Sequence, residues 1–191
     1  MKMKDFVLLA LLTALYIIVY FVAMMLISLM GPFGHAISPG VCGLLSGAIL
    51  VFISRKVGKM WQFTLMELIV MAVFALMGSG YLPWFITSMI GAVLADVIAS
   101  TSEKPSVLKV AIASGLIHVG NALGGIIPAC FFAEQYMNEW IARGQKPDQM
   151  LEMVKATQGV MGLLGTVITF ILSVIGVYIG YSILKGHLKE K

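Results

Sequence analysis

The sequence predicts an all-α, polytopic membrane protein with six transmembrane helices and an amphipathic helical segment in its last outer loop. Of its 191 residues, 60% are hydrophobic and only 12% are charged, whereas a soluble domain carries about 25% charged residues. Apolar runs approaching or exceeding the roughly 20 residues that cross a bilayer occur six times. Lysine and arginine are concentrated in alternate breaks between these runs, as expected for a multi-pass protein.

The six runs are separated by the short breaks "GPFGH", "RKVGK", "GSGY" and "TSEKPS" and by one long segment. Glycine, proline and charged residues in these breaks are typical of helix ends. The first run is longer than the apolar region of a signal peptide and lacks a small-x-small cleavage site, so we interpret it as a retained span. The predicted spans, which form one membrane domain over residues 1–191, are 6–30, 35–54, 60–77, 82–100, 107–132 and 159–184.

The distribution of positive charge predicts the orientation. With both termini in the cytoplasm, ten of the 13 lysine and arginine residues lie on the inner side, and the other three lie in the long outer segment. We therefore expect a multi-pass protein of the plasma membrane with cytoplasmic termini. This topology also explains the net charge of +4, so the charge does not indicate a nucleic-acid partner.

The long outer segment, residues 133–158, has a helical pattern of its own. Phe132, Tyr136 and Trp140 recur at intervals of four, with acidic and amide side chains largely elsewhere on the helix. This pattern predicts an amphipathic helix that lies on the membrane or caps the bundle. Pro147 is expected to begin a second short helix.

Four polar residues inside predicted spans are candidates for a functional role, because an unpaired ionisable group is costly there. We interpret Asp96 as an interfacial residue or a cap near Lys104, with a functional role as the alternative. Glu67 is either a structural partner of a polar group on a neighbouring helix or a functional residue. His118 and Asn121 share one helix face, where they make an interhelical hydrogen bond or contact a ligand.

The outer side also carries an aromatic set. It either forms an interfacial belt or lines a ligand cavity. His35 lies in "GPFGHAISPG", a glycine- and proline-containing loop that can fold inward over such a cavity. The aromatic set consists of Tyr81, Trp84, Phe85, Tyr136 and Trp140. The candidate substrate-binding residues are His35, Tyr81, Trp84, His118, Asn121, Tyr136 and Trp140.

The absence of several catalytic motifs argues against catalysis by this chain. A phosphate-binding G-x-x-x-x-G-K-[ST] loop, H-E-x-x-H and G-x-S-x-G are all missing from the sequence, so we predict no catalytic residue and no ATP hydrolysis in this chain. Cys42 and Cys130 are too few for a cysteine-rich metal site. They are interpreted as two small buried apolar residues, with a disulfide as the alternative.

Ala10 and Ala14 keep one face of the first span small, which allows another helix to approach closely. The same spacing recurs at Gly43/Gly47, Gly120/Gly124 and Gly176/Gly180. Together with six spans and cytoplasmic termini, the alanine pair resembles the substrate-binding S components of energy-coupling factor (ECF) importers. More narrowly, "KDFVLLALLTALYIIVYFV" followed by "LLSGAILVFISRKVGK" looks like the Trep_Strep, or MptD-like, group of S components.

The resemblance implies a complex with one transmembrane coupling protein, which Ala10 and Ala14 would contact, and two cytoplasmic ATPases. It also implies an outward-facing site for a small molecule, with the protein embedded in the lipid bilayer. Some members of the group look associated with haem or iron uptake. The expected ligand is therefore haem or a related tetrapyrrole, with His35 or His118 as candidate iron ligand. The alternatives are a vitamin or similar micronutrient, a stand-alone transporter or channel, and a membrane-embedded enzyme using Glu67, Asp96 and His118.

Overall fold

The computed structural model describes residues 1–101 and 104–186, which fold into eight α-helices and no strand within that part of the chain. Six helical segments of the described chain are long and apolar enough to cross a membrane, which confirms the predicted fold class. Their ends fall within three residues of the predicted span ends. The third of these segments, Gln62–Ser79, ends in a π-helical turn, Ala75–Ser79. The helices are α1 Met3–Ser28, α2 Gly34–Lys56, α3 Gln62–Phe74, α4 Leu82–Ala99, α5 Val107–Phe131, α6 Ala133–Ala142, α7 Pro147–Thr157 and α8 Gly159–Leu184.

The six long helices form a closed ring in which α1 packs on α2, α2 on α8, α8 on α5, α5 on α4, α4 on α3, and α3 again on α1. In addition, α2 contacts α5 across the middle of the ring. Consequently α2 and α5 are the most buried spans, whereas α1, α4 and α8 expose most of their apolar surface. That exposed surface suits contact with lipid tails or with another membrane protein.

Glycine explains how closely α2 and α8 approach each other. A Cβ added to Gly47 would overlap the carbonyl of Gly176, and a Cβ added to Gly176 would overlap the carbonyl of Gly43. A Cβ on Gly180 would meet the backbone of Ala48. Two of the predicted small-residue pairs therefore pack against each other within this chain.

Asp96 was expected to be an interfacial residue or a cap near Lys104. It is fully buried at the start of α3, so the interfacial alternative is wrong, and it acts as a cap of α3. Its carboxylate accepts hydrogen bonds from the backbone N–H groups of Phe63 and Thr64, at 3.2 and 2.8 Å. The hydroxyls of Thr64 and Ser100 donate to it as well, both at 2.6 Å. Asp96 on α4 thus caps the N-terminus of α3, a part normally played by a residue of the capped helix itself.

The two short helices α6 and α7 pack over one end of the bundle, which we call the capped end. They confirm the amphipathic segment predicted there, and Pro147 begins α7 as expected. The capped end also contains the α1–α2 and α3–α4 connections. Arg143, Lys146 and Lys155 belong to the capped end. The other lysine and arginine residues in the described part of the chain belong to the opposite end: Lys2, Lys4, Arg55, Lys56, Lys59, Lys104, Lys109 and Lys185.

Candidate functional site

A cavity of about 620 Å³ lies at the capped end, within the usual size range of small-molecule sites. It is bounded by the end of α1, the start of α2, the α3–α4 connection and the two short helices. Its lining is mainly apolar and aromatic, with a few polar side chains at the rim. The lining residues that matter below are Tyr20, Ser28, His35, Phe74, Tyr81, Trp84, Tyr136, Trp140, Gln145, Gln149 and Glu152.

One wall of the cavity is a cluster of three aromatic rings. The ring centroids of Tyr81 and Tyr136 lie 5.4 Å apart, and Trp140 lies 5.9 and 6.4 Å from them. Met150 and Val154 of α7 pack against this cluster from within the short helices. Burial, and then the neighbouring Tyr81, raises the pKa of Tyr136 to about 12, so its phenol is neutral at physiological pH. Burial also raises the pKa of Tyr81.

Arg143 fastens this wall to the rest of the bundle. Its guanidinium donates to the carbonyl of Gly80 at 2.7 Å, in the α3–α4 connection, and pairs with the Glu139 carboxylate one turn earlier in α6. The guanidinium carbon also lies 5.1 Å from the centroid of the Trp140 ring, a cation–π distance. The hydrogen bond to Gly80 therefore ties the end of α6 to the α3–α4 connection, whereas Glu139 and Trp140 contact the guanidinium from within α6.

The floor of the cavity is a second aromatic cluster, formed by Tyr20, Phe74 and Trp84. Phe74 lies 5.1 Å from Tyr20 and 5.4 Å from Trp84 between ring centroids, edge to face in both pairs. These rings come from α1, α3 and α4. Three helices therefore meet beneath the cavity, where these rings join the hydrophobic core of the bundle.

A chain of hydrogen bonds runs from this floor into the core. The indole N–H of Trp84 donates to Asn121 Oδ1 at 3.1 Å, and Asn121 Nδ2 donates to Glu67 Oε1 at 2.9 Å. Ser88 also donates to Asn121 Oδ1, at 3.3 Å. The second carboxylate oxygen of Glu67 is buried and has no hydrogen-bond partner in the described part of the chain. Glu67 is thus the partner of a polar group on a neighbouring helix, and Asn121 links it to the cavity floor.

His118 lies apart from the cavity. The side chain is fully buried, with Nε2 3.0 Å from the Tyr16 hydroxyl and Nδ1 2.7 Å from the Ser114 carbonyl. Both ring nitrogens are therefore engaged inside the bundle. Of the two predicted alternatives, both residues make the interhelical hydrogen bond, and neither lines the cavity. Asn121 lies one layer below Trp84, and His118 faces α1.

Comparison with known proteins adds the family. The model of a hypothetical bacterial integral membrane protein family, Trep_Strep, matches residues 3–190, nearly the whole chain. The chain belongs to the Trep_Strep family. No curated protein and no solved structure matches the sequence.

In this Trep_Strep protein, five of the seven predicted site residues line one cavity. They are His35, Tyr81, Trp84, Tyr136 and Trp140. Phe85 is instead exposed on α4, outside the lining. The remaining histidine, His187, lies outside the described residues.

Sequence reasoning missed two rings of the cavity floor, Tyr20 and Phe74. Both lie inside long apolar runs, where an aromatic residue is also compatible with lipid contact or core packing. A signal was present at Phe74, since it precedes the "GSGY" break by less than two helical turns.

Two further sequence predictions concern the alanine pair on α1 and the two cysteines. Ala14 is exposed and Ala10 half-exposed on α1, so both lie on the outer surface of the bundle. Cys42 is buried as predicted, whereas Cys130 is exposed and both thiols are free. The cysteines therefore form no disulfide.

Proposed function

We propose that this Trep_Strep protein is the substrate-binding membrane subunit of an ATP-driven importer of the ECF type. The observation that carries the proposal is a small-molecule cavity at the capped end with a packed aromatic floor beneath it. Such a cavity can hold a ligand at one membrane face without providing a continuous path through the bundle. In this proposal, partner proteins complete the transport of the bound ligand.

The charge distribution supports placing the capped end outside the cell. The opposite end contains eight lysine and arginine residues within the described chain, against three at the capped end. Because short cytoplasmic connections are enriched in these residues, the cavity would face the exterior and both termini the cytoplasm. The ligand would then enter from outside.

Transport by reconstituted protein tests the proposal. The chain alone in proteoliposomes should bind its ligand but not accumulate it under an ion gradient, because the energy would come from separate ATPases. Co-reconstitution with a coupling protein and its two ATPases should give uptake that depends on internal ATP. Accumulation by the chain alone, driven by an ion gradient, would instead establish a stand-alone transporter.

A membrane-embedded enzyme is disfavoured by the positions of the polar side chains. Asp96 caps α3 at the opposite end, Glu67 pairs with Asn121, and His118 is engaged through both nitrogens. None of the three lines the cavity. They therefore do not form a constellation around a common reactant.

Haem is a specific ligand candidate because His35 lines the cavity, and imidazole is a common axial ligand of haem iron. Haemin added to the purified protein should then shift its Soret band, and His35→Ala should abolish the shift. Ser28→Ala, another change in the lining, is the matched control and should leave the shift intact. A shift that is indifferent to His35→Ala would remove haem ligation and leave the importer proposal standing.

A further inference from the structure

The charge lining the cavity restricts the ligand further than its shape does. Among the lining residues in the described chain, Glu152 is the one lysine, arginine, aspartate or glutamate. Glu152 lies on α7 at the exposed rim. An anionic ligand would therefore meet a carboxylate and no cationic side chain, which is an unfavourable combination in a partly enclosed site.

The aromatic clusters favour a positively charged ligand. Six rings line the cavity, three in the wall and three in the floor. The face of an aromatic ring carries negative electrostatic potential and attracts a cation within about 6 Å of its centroid. Trp140 already shows this behaviour, because the Arg143 guanidinium lies over its ring at 5.1 Å.

Arg143 itself does not reverse the sign of the site. Its positive charge is paired with Glu139 and directed at the carbonyl of Gly80, and it is not part of the lining. Near the cavity the charges of Arg143 and Glu139 offset each other. The carboxylate of Glu152 is then the formal charge that the ligand meets.

We propose that the cavity binds an organic cation, a small molecule whose positive charge is spread over an aromatic ring or an alkylated ammonium group. The aromatic rings of wall and floor contact the cationic group, and Glu152 at the rim attracts it. This inference rests on the proposed function in placing the ligand in this cavity. It also differs from the haem candidate, whose propionate groups are anionic.

The test compares three probes of similar shape on the full chain in nanodiscs of zwitterionic lipid, by isothermal titration calorimetry. They are N-methylquinolinium, neutral quinoline and anionic quinoline carboxylate. The cation should bind about tenfold more tightly than the neutral probe, as expected for a partly desolvated cation–π contact. The anion should bind most weakly.

Variants at the rim separate the contribution of Glu152. Glu152→Gln should weaken cation binding by about two- to threefold, because the carboxylate is exposed and screened, and Glu152→Lys should weaken it further. Glu134→Gln, an equal charge change on α6 outside the lining, is the matched control and should have no effect.

Two outcomes would overturn the inference. If quinoline or its carboxylate bound as tightly as the cation, the site would not select positive charge. If none of the three probes bound, the organic-cation assignment would also fail. In both cases ATP-dependent transport with the coupling proteins would still decide the proposed function separately.

Discussion

Asp96 shows how much of the fold depends on a single buried side chain. Its carboxylate is fully buried and accepts hydrogen bonds from two backbone N–H groups at the start of α3 and from two hydroxyls. Asp96→Ala would leave these donors unpaired, so we expect a loss of about 2–4 kcal/mol in the free energy of unfolding. Chemical denaturation in detergent measures it. Asp148→Ala, which removes an exposed carboxylate from α7, should cost a few tenths of a kcal/mol.

An effect of Asp96→Ala no larger than that of Asp148→Ala would show that the cap contributes nothing to stability.

Asp96 also shows which structural property the sequence did not reveal. The depth of a residue in the membrane follows from its position within the predicted span, and this position placed Asp96 near a helix end. Rotation about the helix axis cannot be read from a nearly uniform apolar run, so the burial of Asp96 was not predicted and the two alternatives for His118, an interhelical hydrogen bond or a ligand contact, stayed open.

At the scale of helices, the α2–α8 crossing depends on the lack of side chains. Because a Cβ on Gly176 would overlap the Gly43 carbonyl, Gly176→Ala should push the two helices apart. We expect a loss of about 1–3 kcal/mol in stability, typical of overpacking. Melting in detergent, followed by circular dichroism, measures the change.

Gly125→Ala on α5 is the matched control, since the added methyl would meet only the Tyr136 hydroxyl, at an ordinary 3.4 Å. Equal melting temperatures for Gly176→Ala and the native chain would contradict the close crossing.

The sequence pattern predicted all six long helices because their apolar runs match the thickness of a bilayer. It did not predict which helices pair, because the small-residue spacing occurs on α1, α2, α5 and α8 alike.

For the whole molecule, the outer face of α1 is the surface proposed to meet the coupling protein. Ala10→Trp combined with Ala14→Trp should abolish co-purification with that protein while leaving the isolated chain folded, because bulky side chains hold helix backbones apart. The residues are exposed or half-exposed, so the bundle itself should tolerate the change. Affinity purification after co-expression measures the complex.

Ile86→Trp with Ile90→Trp, exposed residues four apart on α4, controls for bulk on a lipid-facing helix and should leave the complex intact. Unchanged co-purification of the α1 variant would refute the assigned surface. The sequence anticipated most of the cavity wall because aromatic residues cluster around the predicted outer breaks. It also anticipated Trp84 of the floor but not Tyr20 and Phe74, which meet Trp84 only where α1, α3 and α4 converge.

The ring of helices has a consequence for biosynthesis. Helix α2 leaves the ribosome well before α8, yet its glycine face packs against α8. Since domains assemble as their segments emerge, the glycine face of α2 forms a groove of uncovered backbone until α8 has been synthesised. A nascent chain halted before α8 would carry that groove into the bilayer, open to the wrong helix or to quality-control proteases.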